Sequence, residues 1–200
     1  VETNFRKHQL AADNGLKTIQ YIVMNHLKSL AAPFRNVHQR YVSISTERPY
    51  ITAMATGGLI LTISDITAQT LSSRFIANYK FDWRRTLSLC CFGTFYYGLI
   101  ARKIYFIYEL GLGPGRPILK AFIDCSIHTP FLLLPCFYFM TGIIKGQSVN
   151  GVVSQLKDEW YTSSTASLAY WFPMMWFNFR YCTPQTRIFF IATMSWIHKS

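Results

Sequence analysis

Charged residues are scarce in this chain, and acidic residues are scarcer than basic ones. Only 14% of the 200 residues are charged, whereas typical soluble domains carry ~25%. Half of the residues are apolar and 16% are aromatic, which favours a membrane-embedded protein over a soluble domain. Nine acidic residues stand against 20 basic ones, and the resulting net charge of +11 predicts an anionic partner such as a lipid surface.

Motifs of catalysis, metal binding and nucleic-acid recognition are also missing. The chain has five cysteines but no Cys-x-x-Cys pair, so we expect reduced thiols rather than a disulfide framework or a zinc site. Residues 111–117 predict a Gly/Pro-rich turn that lacks the Lys-Ser/Thr ending of a phosphate-binding loop. No hydrolase motif is found, and no nucleic-acid motif accompanies the positive charge. We therefore expect no enzymatic activity, no cofactor, no bound metal and no nucleic-acid partner.

The segment 1–48 is predicted to be a basic, amphipathic N-terminal extension. Within it, Asn14–Ala32 is expected to form a helix, with Asn14 as its N-cap and Pro33 ending the pattern. A basic amphipathic helix of this kind can lie on a membrane surface or on a partner protein. The sequence begins with Val1 rather than Met, so either a presequence has been removed or the first residues are missing. A basic, processed N-terminus fits import into an organelle better than secretion.

Apolar segments between residues 49 and 200 predict an all-α fold, a transmembrane helix bundle of about four spans. The first span, Tyr50–Leu71, is long enough to cross a bilayer and carries Asp65 deep inside it. A carboxylate in the hydrocarbon core costs at least ~2.5 kcal/mol, so Asp65 requires neighbouring helices and a cationic partner. Three further spans are expected at Thr86–Tyr108, Ile118–Ile144 and Ser164–Tyr181.

Prolines predict that the later helices of the bundle are broken. Pro130 and Pro135 remove backbone donors from the third span, and Pro173 is expected to interrupt the fourth. Val149–Tyr161 is amphipathic, and we expect it to form a separate helix in the membrane interface. Pro184–Ser200 contains an apolar run too short to cross a ~30 Å core alone, so it is expected to pair with the fourth span.

Eight polar residues within the predicted bundle are the candidate functional residues, and we expect structural roles for them. Asp65 and Asp124 need cationic or donor partners. The expected partners are Arg85, Arg102 and Arg180. Asp124 and His128 are four residues apart and share a helix face, where they either line a polar pathway or form a closed hydrogen-bond cluster. The full set is Asp65, Gln69, Arg85, Arg102, Asp124, His128, Asn178 and Arg180.

Several different short motifs follow one another along residues 48–200. The first span carries Pro49, Thr52 and an Asp-x-x-x-Gln pattern at Asp65 and Gln69. The following segments carry Asp82, Arg85, Thr86, Gly93, Gly98, Asp124, Pro130, Pro173, Asn178, Phe179, Pro184, Arg187, Trp196 and Ser200. In this order and spacing, the motifs resemble the family of the peroxisomal twenty-two-kilodalton membrane protein and mitochondrial Mpv-seventeen.

This resemblance implies a small multi-span protein of the mitochondrial inner membrane or the peroxisomal membrane. The roles that it implies are pore-like permeation and metabolite homeostasis, without catalytic chemistry. Arg48, Ser64, Leu99 and Cys125 stand where the family has His, Gly, Pro and Gln. Because these departures fall on polar or backbone-shaping positions, they favour a helical scaffold over a permeation role.

The expected function is therefore that of a non-enzymatic accessory or structural subunit in a mitochondrial inner-membrane complex, of the respiratory-chain or ATP-synthase type. The alternative is a pore-like channel for small metabolites or ions in the mitochondrial inner membrane or the peroxisomal membrane. The expected partners are other membrane-protein subunits and membrane lipids, including an anionic lipid such as cardiolipin. A channel would be lined by Asp65, Arg102, Asp124, His128 and Arg180.

Overall fold

The computed structural model describes residues 35–113 and 115–199, which form helices joined by short turns. The chain divides into two compact units, Val1–Ser43 and Ile44–Ser200. In the first unit, the described residues are helical and belong to a helix over residues 35–47, named α1 here. The helix predicted at Asn14–Ala32 lies outside the described residues.

The second unit is built from α-helices and two π-helical segments. They are α2 (Pro49–Phe75), α3 (Trp83–Cys91), π1 (Phe92–Ala101), α4 (Arg102–Leu112), α5 (Pro117–Ile123), π2 (Asp124–Leu133), α6 (Leu134–Ile144), α7 (Val149–Tyr181) and α8 (Arg187–Lys199). Three of them, α3, π1 and α4, follow one another as one continuous helix, and so do α5, π2 and α6. The two π-helical segments are wider than their α-helical neighbours because their hydrogen bonds join residues five apart.

Local sequence signals explain where several of these helices begin. Pro49 and Pro117 occupy the first turns of α2 and α5, where the missing backbone N–H of proline costs nothing. The side chains of Asp82 and Ser148 cap α3 and α7, and each accepts a hydrogen bond from the backbone N–H three residues ahead. These caps fix the residues at which α3 and α7 begin.

Two described helical stretches are long and apolar enough to cross a membrane, Pro49–Phe75 with 27 residues and Pro117–Ile144 with 28. At 1.5 Å per residue each extends roughly 40 Å, which exceeds a hydrocarbon core of about 30 Å. They correspond to the first and third spans predicted from the sequence. The further spans expected at Thr86–Tyr108 and Ser164–Tyr181 stay a prediction.

The C-terminal half differs from the sequence-based expectation in one respect. Val149–Tyr161 and Ser164–Tyr181 were predicted as separate helices, but they belong to the single 33-residue helix α7, which Pro173 does not interrupt. The polar residues 162–164 contain neither Gly nor Pro, so nothing in them breaks the helical backbone.

Close backbone contact joins α2 to π1. Gly57 and Gly93 face each other, and a Cβ atom added to either one would overlap the carbonyl oxygen of the other. Small residues of this kind let membrane helices approach closely. The unit also holds an apolar core rich in aromatic rings, among them Phe92, Tyr105 and Phe179.

The third span stays helical through its two prolines, with Pro130 inside the π-helical segment π2 and Pro135 in the first turn of α6. In a π-helix the carbonyl of Pro130 would accept from the N–H of residue 135, but Pro135 has no N–H. The indole Nε1 of Trp160 on α7 donates to the Pro130 carbonyl oxygen instead, at 2.9 Å. This bond ties α7 to π2 at the point where the backbone lacks a donor.

Candidate functional site

The first polar cluster surrounds Asp65 near the end of α2. Its carboxylate is fully buried, and Nε of Arg85 lies 2.7 Å from its Oδ1 atom. Its Oδ2 atom accepts hydrogen bonds from Nε2 of Gln69 and from Oγ1 of Thr86, both at 2.7 Å. The carboxylate is therefore satisfied by a cation and two neutral donors that come from two different helices.

Gln69 extends this cluster to the turn between α2 and α3. Its Oε1 atom accepts from the backbone N–H of Asp82 at 2.7 Å, and its Nε2 atom lies 3.1 Å from the carbonyl oxygen of Asp82. The Asp82 side chain in turn accepts from the backbone N–H of Arg85. The Asp65 cluster, defined as Asp65, Gln69, Asp82, Arg85 and Thr86, therefore fixes the register of α3 on α2.

The second cluster is the buried chain of Tyr96, His128 and Asp124. Nδ1 of His128 lies 2.6 Å from Oδ1 of Asp124, and Nε2 of His128 lies 2.6 Å from the hydroxyl of Tyr96. An ionised Asp124 only accepts, so Nδ1 carries the hydrogen and the Tyr96 hydroxyl donates to Nε2. The chain joins π1 to π2, and the ring of Tyr105 stands perpendicular to the imidazole.

The third cluster links the ends of three helices through Glu109. One carboxylate oxygen of Glu109 lies 2.6 Å from Nζ of Lys120 and 2.6 Å from Nη2 of Arg187. Lys120 is fully buried and Arg187 nearly so. Burial of Glu109 opposes its ionisation, but the hydrogen bonds and charges of the two cations outweigh burial and lower its pKa.

Among the cavities along the described helices of the second unit, three share lining residues with a neighbour. The first has a volume of about 560 Å³ and is bounded by Arg102, Tyr105, Glu109 and Arg187. The second is about 50 Å³ and shares Tyr105 with the first. The third is about 310 Å³ and shares Tyr97 with the second. Leu133, Ser167 and Trp171 also line both the second and the third cavity.

The predicted site residues fall into different environments. Arg85 is the partner of Asp65, and His128 that of Asp124. The expectation that Arg102 or Arg180 pairs with either carboxylate is not met. The Arg102 guanidinium carbon lies 6.0 Å from the Tyr50 ring centroid, and Arg180 is exposed at the end of α7.

Asn178 was expected to have a polar structural role, and it lies fully buried in α7. Its Nδ2 atom is 3.9 Å from Sδ of Met175, a weak contact within the same helix. Of the predicted channel-lining residues, Arg102 borders the first cavity and Asp124 the second. Asp65 is enclosed by its own cluster.

The sequence reasoning missed Glu109, Lys120 and Tyr96 as members of polar clusters. A signal for the first two was present, because Glu109 and Lys120 flank the turn at residues 111–117, which brings the ends of α4 and α5 together. Tyr96 gave no comparable signal among the many aromatic residues of the chain. In the described ranges, no group of three or more His, Cys, Asp and Glu side chains is placed to hold a metal.

The described residues form an all-helical protein with two stretches long and apolar enough to cross a membrane. A family model described as the Mpv17 / PMP22 family matches residues 142–198. Together with the relatives below, this match confirms the resemblance to the Mpv17/PMP22 family found in the sequence.

Curated relatives extend the similarity over most of the chain. The PXMP2/4 family protein 4 of Dictyostelium discoideum is 24% identical over 85% of this chain and 94% of its own length. The protein SYM1 of Debaryomyces hansenii is 22% identical over 80% and 84%. The peroxisomal membrane protein 2 of Bos taurus is 20% identical over 78% and 82%. No solved structure matches the chain.

Proposed function

We propose that this chain is a non-enzymatic membrane protein that forms a closed conduit for small solutes. The observation that carries the proposal is the series of three cavities with shared walls. The middle cavity, at about 50 Å³, holds little more than a single water molecule. The proposed conduit is therefore narrowest at its centre, beside Tyr97 and Tyr105, which each line two of the cavities.

The polar clusters support a passive role rather than a catalytic one. Both ring nitrogens of His128 are engaged, one by Asp124 and the other by Tyr96. An imidazole held at both nitrogens has no free position for proton transfer to a substrate. We assign to this cluster the task of holding π1 against π2 beside the middle cavity.

Bilayer conductance of the purified protein tests the conduit. Replacing Tyr97 or Tyr105 by Ala removes a ring between two cavities, so each variant should conduct more than the wild type. Tyr181→Ala is the matched control, because Tyr181 is exposed and borders none of these cavities. If correctly folded wild type and both alanine variants fail to conduct, the proposal is wrong.

A second candidate function is that of an accessory subunit in a larger inner-membrane assembly. It is favoured by α7, which packs against α5, π2 and α6 yet exposes Lys157, Asp158, Thr162 and Thr165. Polar side chains are costly against lipid, so a partner protein would cover this face. Migration in mild detergent as a lone species of 23.1 kDa would contradict this role.

We further propose the mitochondrial inner membrane as the location, with the peroxisomal membrane as the alternative. The net charge of +11 supports contact with anionic lipid, for which cardiolipin is the expected example in the mitochondrial case. A relative named peroxisomal membrane protein 2 supports the alternative. Fractionation of the organelles that contain the native protein decides between the two.

A further inference from the structure

We propose that the second cavity is a binding site for one small monovalent cation, Na⁺ or K⁺, with Asp124 as its principal ligand. This inference goes beyond the proposed conduit and does not depend on the passage of any solute. The cavity has a volume of about 50 Å³, and a water molecule takes up about 30 Å³ of the liquid. The cavity therefore has room for a cation and little else.

Asp124 has one carboxylate oxygen left for a ligand. Its Oδ1 atom is held by Nδ1 of His128, whereas no described residue donates a hydrogen bond to its Oδ2 atom. This Oδ2 atom is also not sealed off by neighbouring atoms, as Oγ of Ser64 is. Because Asp124 is only 3% exposed and borders the second cavity, the open space beside Oδ2 is that cavity.

Three hydroxyl groups on the wall of the same cavity are also unpaired. They belong to Thr129 and Tyr105, which are buried, and to Ser167, which is half-buried. Within the part of the chain that the structure describes, none of the three hydroxyls has a hydrogen-bond partner, and none is sealed by surrounding atoms. Buried polar groups are nearly always satisfied, so these groups around one small cavity indicate a bound ligand.

The winding of π2 brings two of these groups together. Asp124 and Thr129 are five residues apart, which is the spacing that the hydrogen bonds of a π-helix join. In an α-helix the same two residues would be turned about 140° away from each other. The π-helical winding therefore places the carboxylate and the hydroxyl on one side of the helix, where both residues line the cavity.

The charge of the cavity wall favours a cation over water alone. Nδ1 of His128 donates to Asp124 and the Tyr96 hydroxyl donates to Nε2, so the imidazole is neutral and leaves the carboxylate charge uncompensated. The described residues that line this cavity include no Lys or Arg. Because an isolated buried carboxylate is costly, a cation beside Oδ2 would stabilise it.

The ligand set suits a monovalent ion better than a divalent one. Ca²⁺ takes about six to eight oxygen ligands, and Mg²⁺ demands near-ideal octahedral geometry and gives up its water reluctantly. One carboxylate oxygen and three neutral hydroxyls offer less charge and fewer ligands than either ion requires. The sequence-based expectation of no bound metal rested on missing motifs, and ligands drawn from α4, π2 and α7 form no motif in the sequence.

Cation binding is measured on the full chain purified in detergent. NaCl and KCl are compared with N-methyl-D-glucamine chloride at equal ionic strength, because this organic cation screens charges equally but is too large for the cavity. A ligand that binds only the folded state raises the melting temperature, so we expect a higher melting temperature in Na⁺ or K⁺. Broadening of the sodium NMR line by the protein is the second readout.

Three variants locate the site. Asp124→Asn removes the charge but keeps an oxygen for His128, so its melting temperature should no longer depend on the cation. Thr129→Val removes one hydroxyl and should weaken cation binding about fivefold. Thr141→Val is the matched control and should respond as the wild type does. Thr141 is equally buried, but its hydroxyl donates to the Phe137 carbonyl, and it borders none of the three cavities.

The inference is overturned if the folded wild type neither melts higher in Na⁺ or K⁺ nor broadens the sodium line, which would mean that the cavity holds water alone. It is also overturned if Asp124→Asn keeps the full cation dependence. Should Asp124→Asn fail to fold, an equal cation response of Thr129→Val and Thr141→Val would contradict the site. A protein that binds the cation but conducts nothing overturns the conduit alone, and one that conducts without binding the cation overturns this site alone.

Discussion

Arg85 forms an ion pair with Asp65 across the turn between α2 and α3, with its Nε atom 2.7 Å from Oδ1 of Asp65. The two residues are the cation and the carboxylate of one ion pair, and they lie on different helices. Asp65 has no access to solvent, while the Arg85 side chain is 39% exposed. The guanidinium therefore compensates the charge of a fully buried carboxylate while remaining partly exposed itself.

Replacing Arg85 by Met should destabilise the bundle strongly. Breaking a buried pair costs about 3–5 kcal/mol because one charge is left uncompensated, and the partial exposure of Arg85 places the expected loss near the lower end. Thermal unfolding in detergent measures it. Arg84→Met is the control at the neighbouring exposed position and should change little. Equal melting temperatures for the two variants would contradict this role of Arg85.

A double variant separates lost charge compensation from lost packing. Asp65→Asn combined with Arg85→Met removes both charges, so it should recover part of the stability that Arg85→Met loses. The Gln69 and Thr86 donors still have an oxygen to bind at position 65. If the double variant is less stable than Arg85→Met alone, charge compensation is not the cause of the loss.

Adding one methyl group at Gly57 should separate α2 from π1. Alanine favours a helix over glycine by about 1 kcal/mol, but a Cβ at Gly57 meets the backbone of Gly93, which cannot move aside as a side chain can. Gly57→Ala should therefore lower the melting temperature. Gly111→Ala is the control, because a Cβ there meets nothing within 4 Å. A Gly57→Ala variant as stable as that control would show that the helices are not in backbone contact.

Removing the hydroxyl of Tyr96 should cost about 1 kcal/mol or more of unfolding free energy, because it leaves Nε2 of the buried His128 without its donor. Tyr96→Phe changes one oxygen atom and keeps the ring stacking on Phe92. The comparison is Tyr108→Phe, at a partly buried tyrosine outside this chain of hydrogen bonds. Chemical denaturation of both variants measures the difference, and a smaller loss at Tyr96 than at Tyr108 would speak against the hydrogen-bonded chain.

Glu109 should make the stability of the protein depend on pH in the acidic range. Its pKa is lowered in the folded protein, so its contribution is present above the ordinary pKa of about 4.3 and disappears as the pH falls through the lower folded value. The melting temperature of Glu109→Gln should thus lie below the wild type at neutral pH, and the gap should narrow on acidification. Asp158→Asn, at an exposed position of α7, should show no such gap. A gap for Glu109→Gln that stays constant down to pH 3 would refute this linkage.

The sequence predicted the parts of the fold that depend on local patterns. Apolar length located the two helices that are able to span a membrane, and a spacing of four placed Asp124 and His128 on one helix face. The all-helical class also follows from such patterns. Each of these features is decided by residues within a few turns of one another.

Features that depend on packing between helices could not be predicted in the same way. The choice of Arg85 rather than Arg102 for Asp65 follows from the register of α3 on α2, which Gln69 fixes through the Asp82 backbone. The continuity of α7 through Pro173 was missed because tertiary contacts overrode a local helix-breaking preference. Arg187 and Glu109 meet only after three helix ends converge.

The winding of π1 connects two parts of the molecule that share no side-chain contact. A π-helix holds more residues per turn than an α-helix, so a change of π1 to α-helical winding would rotate everything that follows it about the helix axis. Glu109, at the far end of that helix, would then swing away from Arg187 while Asp65 and Arg85 stayed in place. The winding of this ten-residue segment therefore sets the direction from which Glu109 meets Lys120 and Arg187.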